Sequence, residues 1–144
     1  MGPYWLLFLL PAGFALSPIK GDKTVNSIPW IIVGWLCFLM IGLRYQVGGD
    51  WDNYITYLDL ARSRYFSVAD TLAVSWGNAT GYMLLNWIVL QMGLGMYAVN
   101  TFCAAIFTVG LMKYCRKQHM PWVALAAAIP YMVYGVAMGY TRQA

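Results

Sequence analysis

The 144-residue sequence contains no glutamate, one histidine and three cysteines. Charged residues make up 10% of it and hydrophobic residues 61%, whereas soluble domains average about 25% and 45–50%. This composition excludes an ordinary soluble globule and a disordered chain. A single histidine, His119, provides too few ligands for a haem, zinc or di-metal site, so no metal and no cofactor are expected.

The cysteines and the cationic side chains point to a membrane rather than to redox chemistry or nucleic acid. Cys37 and Cys103 lie within apolar runs and Cys115 lies at the end of one, without a CxxC spacing. They are expected to pack as small apolar side chains. The net charge is +4, and the cations cluster beside apolar runs. Anionic head groups of membrane lipids are therefore the expected partners, and nucleic acid is not.

Long uncharged runs predict an all-α, polytopic transmembrane protein. A spanning helix needs about 20 mostly apolar residues. The first run lacks the basic region of a signal peptide and is predicted to be retained. The run over 71–112 suits two spans, divided at Gly93-Leu94-Gly95. About five membrane segments are predicted in one transmembrane domain over 1–144, near residues 3–18, 27–43, 72–92, 95–112 and 121–141.

The polar loop 44–70 carries half of the charged side chains. Gly48-Gly49-Asp50 predicts a turn followed by a helix N-cap. Apolar and polar residues then alternate at helical spacing, which predicts an amphipathic helix at the membrane interface. Its apolar side carries Trp51, Tyr54, Ile55, Leu58, Ala61 and Tyr65, and its polar side carries Asp52, Asn53, Thr56, Asp59 and Arg62. The alternative is a simple connector, with Asp50 only a cap.

The segment 72–92 leaves two topologies open. Residues 75–81 are polar and flexible for a bilayer interior, which is tolerated where backbone is buried in protein or lines a cavity. If 72–92 spans fully, loops 44–70 and 113–119 share one side, which the positive-inside rule makes cytoplasmic. If it is re-entrant, the two loops lie on opposite sides. The side with loop 113–119 then carries five Lys and Arg residues and the side with loop 44–70 carries four, so the rule favours the first by one residue.

Residues 44–54 combine groups suited to a diphosphate and a sugar. Arg44 can grip phosphate oxygens in pairs, and the Gly48-Gly49 backbone can add anion contacts. Asp50 can orient or deprotonate a hydroxyl group. Aromatic side chains can cover a sugar ring or a prenyl chain; these are Tyr45, Trp51, Tyr54 and Tyr57. The alternatives are that Arg44 snorkels to the interface and that the aromatics form a membrane belt.

Three segments resemble the EpsG family of Wzy-like, multi-span proteins of bacterial exopolysaccharide assembly. The first element, Arg44-Tyr-x-Val-Gly-x-Asp50-aromatic-x-x-Tyr54, is similar to the family signature RY-x-VG-x-D-Y-x-x-Y. The second element, Gly81-Tyr82-Met-Leu-Leu-Asn86, is similar to EPG-aromatic-x-x-LN. The third element, Arg142-Gln143-Ala144, is similar to RQ-x-x-A. The family's Glu-Pro before Gly81 is Ala79-Thr80 in this sequence.

The resemblance implies a glycan polymerase in the bacterial cytoplasmic membrane. Such enzymes move a growing glycan from one polyprenyl-diphosphate carrier to another carrier-linked repeat unit, without metal or nucleotide sugar. It implies that Arg44 and Arg142 contact diphosphate and that Asp50 activates the acceptor. The remaining matched positions would bind substrate, namely Tyr45, Gly48, Gly49, Trp51, Tyr54, Gly81, Tyr82, Asn86 and Gln143. For Asn86, a hydrogen bond between helices is the alternative.

Family members are longer, so the chain is expected to be the N-terminal portion of a larger membrane protein. Two non-enzymatic functions stay open beside the metal-independent glycosyltransferase. One is a membrane subunit or transport component of polysaccharide export or biofilm assembly, which would dock other assembly proteins through loop 44–70. The other is a membrane-anchored accessory domain.

Overall fold

The computed structural model describes residues 2–17, 28–45 and 80–138, together with the single positions 55, 56, 59, 62 and 69. The secondary structure of these residues is entirely helical, as predicted. The described residues form five α-helices: α1 (Gly2–Leu16), α2 (Ile28–Gly42), α3 (Thr80–Gln91), α4 (Met96–Arg116) and α5 (Pro121–Ala128). A π-helical segment, Ile129–Ala137, continues α5.

Helices α2 and α4 form the most extensive helix pair, and they run antiparallel. Two glycines of α2 let the helices approach closely. A Cβ added at Gly34 would lie 3.4 Å from Cε of Met112, and one added at Gly42 would lie 3.3 Å from Cα of Thr101. Because these contacts pair the start of α2 with the end of α4, the C-terminus of α2 meets the N-terminus of α4.

Trp122, at the start of α5, packs against both α1 and α2. Its ring stacks on Phe14 near the end of α1, with centroids 4.6 Å apart, and meets Trp30 near the start of α2 edge-on at 4.8 Å. At the far end, Tyr4 packs edge-on against Tyr134 at 5.3 Å, and the Tyr134 hydroxyl donates to the Tyr4 carbonyl. Helix α5 with its π segment therefore runs antiparallel to α1 and parallel to α2.

These contacts define two ends of a four-helix bundle. The Arg44 end holds the C-terminus of α2, the N-terminus of α4 and the end of the π segment. The Trp122 end holds the start of α2, the end of α4 and the start of α5. Loop 44–70 therefore leaves from the Arg44 end, whereas the connection after α4 lies at the Trp122 end. The two loops therefore lie at opposite ends of the bundle, and a re-entrant segment over 72–92 stays a prediction.

The helices occupy the predicted segments with some shifts at their ends. Gly93, with φ of +71°, turns the chain between α3 and α4 as predicted, since glycine tolerates positive φ. The predicted boundary at residue 112 is wrong, because α4 continues to Arg116. Lys113 and Arg116 lie in its last turn, where positive charge interacts favourably with the helix dipole.

Among the described residues, α4 is the helix whose length and hydropathy suffice to cross a membrane. Three further apolar helices are shorter: Gly2–Leu16, Ile28–Gly42 and Pro121–Ala137. In loop 44–70, the single described positions Ile55, Thr56, Asp59 and Arg62 are helical and exposed. The helix predicted there is present at these positions, and its location at the membrane interface remains a prediction.

The π segment is a departure from the uniform helix expected over 121–141. Pro130 lies at its start, and a proline within a helix removes one backbone donor and clashes with the preceding turn. Widening to π geometry relieves this clash, and Met138 N–H donates to the Val133 carbonyl at 2.9 Å, five residues back. Such segments are frequent at functional sites.

The close approach at Gly42 generates a stability prediction. Gly42→Ala places a methyl group against backbone at Thr101, which cannot move aside, so we expect a loss of about 1–3 kcal/mol. Gly34→Ala is the matched control, because the flexible Met112 side chain can give way. Thermal unfolding of the purified, detergent-solubilised variants measures both. Equal stability of the two variants would contradict this packing.

Candidate functional site

Arg44 joins the end of α2 to the end of the last helix. Its side chain is 4% exposed. The guanidinium Nη1 donates to the carbonyl of Ala137 at 3.2 Å and to the carbonyl of Met138. These two residues close the π segment and are separated from Arg44 by more than ninety positions in the chain. The first EpsG-like element is thereby held against the helix end that precedes Arg142 in sequence.

The chemistry of this contact is that of a helix C-cap. The last carbonyls of a helix have no intrahelical donor, and they carry a partial negative charge. A guanidinium placed there supplies both hydrogen bonds and positive charge. The alternative that Arg44 snorkels to the interface is wrong, because the side chain is buried. The expectation that Arg44 contacts diphosphate stays a prediction, and the structure adds a positioning function to it.

The second element packs against the first turns of α4. Tyr82 is buried in a small cluster with Val89, Met96 and Val99, and the partly buried Cys103 packs against it. Helix α3 therefore reaches the Arg44 end, so that the second element lies at the same end of the bundle as the first.

Asn86 is fully buried, and its hydrogen bonding differs from the expected interhelical bond. Its Nδ2 donates to the Tyr82 carbonyl at 3.0 Å, one turn earlier in α3. Its Oδ1 is buried and has no hydrogen-bond partner within the described part of the chain. Buried acceptors are nearly always satisfied, so this oxygen is suited to a hydroxyl or amide donor from elsewhere.

Gly81 and Tyr45 are the exposed members of the predicted site. A Cβ added at Gly81 would meet nothing within 4 Å, so packing among the described residues does not require glycine there. Tyr45 is 63% exposed and follows the buried Arg44. The remaining predicted site residues lie outside the described residues: Gly48, Gly49, Asp50, Trp51, Tyr54, Arg142 and Gln143.

Comparison with known proteins decides the family. A family model described as the EpsG family matches residues 27–144, which is most of the chain. The chain belongs to the EpsG family. This is a family of membrane proteins associated with exopolysaccharide polymerisation, in agreement with the prediction from the three elements. No curated protein and no solved structure matches the chain.

Two features of this EpsG protein were not predicted from sequence. The partners of Arg44 are backbone carbonyls of Ala137 and Met138, which no side-chain motif reveals. The π segment that presents them was signalled by Pro130, since a proline inside a helical pattern breaks or distorts the helix. Gly42, two residues before Arg44, was a further signal, because a small residue at a helix end permits close packing.

The Arg44 contact predicts a loss of stability that a substrate contact alone would not cause. Arg44→Gln removes a charged donor from buried carbonyls, so we expect unfolding to become easier by about 2 kcal/mol. Arg62→Gln, an exposed cation of the same loop, is the matched control and should stay within about 0.5 kcal/mol. Chemical denaturation in detergent measures both. Unchanged stability of Arg44→Gln would refute the positioning function.

Proposed function

We propose that this EpsG-family protein is a polymerase-like, multi-pass membrane protein that transfers glycan between polyprenyl-diphosphate carriers. The observation that carries the proposal is the contact between Arg44 and the carbonyls of Ala137 and Met138. It brings the first element to the helix end from which the third element follows. Tyr82 and Asn86 of the second element pack at the same end, and the third element is proposed to meet them there.

The distribution of polar and apolar side chains supports a multi-pass bundle. Large apolar side chains are exposed on the outer faces of the helices, for example Trp5, Trp35 and Ile106 at about 60% each. Polar side chains lie inside instead, among them Asn86 and Asn100. Soluble monomers rarely expose apolar patches on this scale, whereas a bundle in lipid requires them.

The cations favour one orientation. Lys113, Arg116 and Lys117 are exposed at the Trp122 end, and the connection between α1 and α2, which joins two helix ends there, adds Lys20 and Lys23 in sequence. Short cytoplasmic loops carry an excess of Lys and Arg. The Trp122 end is therefore proposed to face the cytoplasm of a bacterium, and the Arg44 end the opposite side of its cytoplasmic membrane.

The proposed chemistry needs positive charge at a diphosphate leaving group and a base at the acceptor. Arg142 is proposed to meet the diphosphate, since charge that develops in a transition state is stabilised by a preorganised cation. Asp50 is proposed to orient or deprotonate the acceptor hydroxyl. Arg44 is proposed to position the first element against the third.

A second candidate is a non-enzymatic subunit of polysaccharide export, which would dock partner proteins through loop 44–70. One sequence observation favours it: Ala79-Thr80 replaces the Glu-Pro of the family's second element. In this case the exposed Asp59 and Arg62 would contact a partner. Loss of a charge at Asp50 would then alter export without changing the length distribution of the polymer.

Chromosomal substitution in the bacterium that makes the protein tests the first candidate. Asp50→Asn keeps the size of the side chain and removes the base, so we expect the transfer rate, and with it the polymer yield, to fall by about 10²-fold or more and the chains to become shorter. Asp22→Asn, in the connection between α1 and α2, is the matched control and should leave both unchanged. Gel electrophoresis of extracted polysaccharide reports the result. Normal length and yield with Asp50→Asn would refute polymerase chemistry at this residue.

A further inference from the structure

An open groove of about 480 Å³ lies between α2 and α4 at the Trp122 end, away from the proposed catalytic region. Trp30, Trp35 and Phe38 of α2 form one wall, and Val109 and Met112 of α4 contribute to the other. The groove is almost entirely apolar, and part of this lining is exposed on the outer face of the bundle. An apolar surface in this position faces lipid in the proposed membrane arrangement.

Two cations stand at one end of the groove. Lys113 and Arg116 line it near the C-terminus of α4, and no acidic side chain lines it within the described part of the chain. Thr108 also lines the groove. It is 6% exposed, and its Oγ1 has no hydrogen-bond partner among the described residues. The groove therefore combines an apolar body, a buried polar atom and a positively charged end.

The length of the groove fits one membrane leaflet. Its α4 lining extends from Ala105 to Arg116, which corresponds to about 16 Å of helix. The hydrocarbon core of a bilayer is about 30 Å thick, so the groove spans roughly half of it. A lipid anchored with its phosphate at Lys113 and Arg116 would extend one acyl chain along the aromatic wall toward the middle of the bilayer.

We propose that this groove is a binding site for one anionic glycerophospholipid of the cytoplasmic leaflet. The phosphate binds between Lys113 and Arg116, and an acyl chain lies along Trp30 and Trp35. Charge complementarity selects an anionic head group over a zwitterionic one, because an anionic lipid keeps a net charge for the two cations. The bound lipid would stabilise the α2–α4 pair from outside, at the end opposite Arg44.

Native mass spectrometry of the full chain, released from nanodiscs of equal parts phosphatidylglycerol and phosphatidylcholine, tests the proposal. The wild type should retain one phosphatidylglycerol in clear excess over phosphatidylcholine. The double variant Lys113→Gln/Arg116→Gln should reduce this enrichment about 25-fold, since each cation near anionic lipid contributes roughly fivefold. Lys117→Gln, an exposed neighbour that does not line the groove, should leave the enrichment unchanged.

A second pair of variants tests the apolar wall. Trp35→Ala should lower phosphatidylglycerol retention, whereas Trp5→Ala, a similarly exposed tryptophan on α1, should not. Equal effects of Lys113→Gln/Arg116→Gln and Lys117→Gln would overturn the site, because they would show general surface attraction only. Displacement of phosphatidylglycerol by equimolar polyprenyl phosphate, or a dimer that Trp35→Ala dissociates, would overturn it in favour of a carrier lipid or a second copy.

Discussion

The rest of the structure depends on the hydrogen bonds that Arg44 donates to carbonyls at the C-terminal end of the π segment that continues α5. Its guanidinium binds the carbonyls of Ala137 and Met138 in a region almost without solvent. Buried carbonyls without donors are costly, and a buried cation is costly without acceptors. Each group removes the cost of burying the other. Because the two partners are far apart in sequence, this contact also determines which ends of α2 and α5 lie together.

Close packing of α2 against α4 makes that contact possible. Gly42 allows the end of α2 to pack against Thr101. Arg44, two residues later, then lies beside the π segment. At the opposite end, Trp122 is held by Phe14 and Trp30. At one end the helices are therefore held together by a guanidinium bound to backbone carbonyls, and at the other end by aromatic packing. Arg44 and the second EpsG-like element lie at the first of these ends, and the groove between α2 and α4 lies near the second.

Apolar runs and a turn-forming glycine predicted most of the fold. Apolar segments placed all five helices, and Gly93 marked the turn between α3 and α4. The prediction ends α4 too early because it treats Lys113 as the start of a loop, although cations suit the last turn of a helix. The candidate site was predicted through motifs at Arg44, Tyr82 and Asn86. The contacts of these residues were not predicted. The partners of Arg44 are backbone carbonyls in a π segment, and no local motif specifies the burial of Tyr82 and Asn86.

The central claim is that the Arg44 end and the basic turn 113–117 face opposite sides of the membrane, and side-chain accessibility in intact cells tests it most directly. In a chain with Cys37, Cys103 and Cys115 changed to alanine, Arg62→Cys and Lys117→Cys each place one exposed thiol. A membrane-impermeant maleimide should label Arg62→Cys in intact spheroplasts and Lys117→Cys only after the membrane is permeabilised. Labelling of both thiols under the same condition would place both loops on one side and contradict the claim.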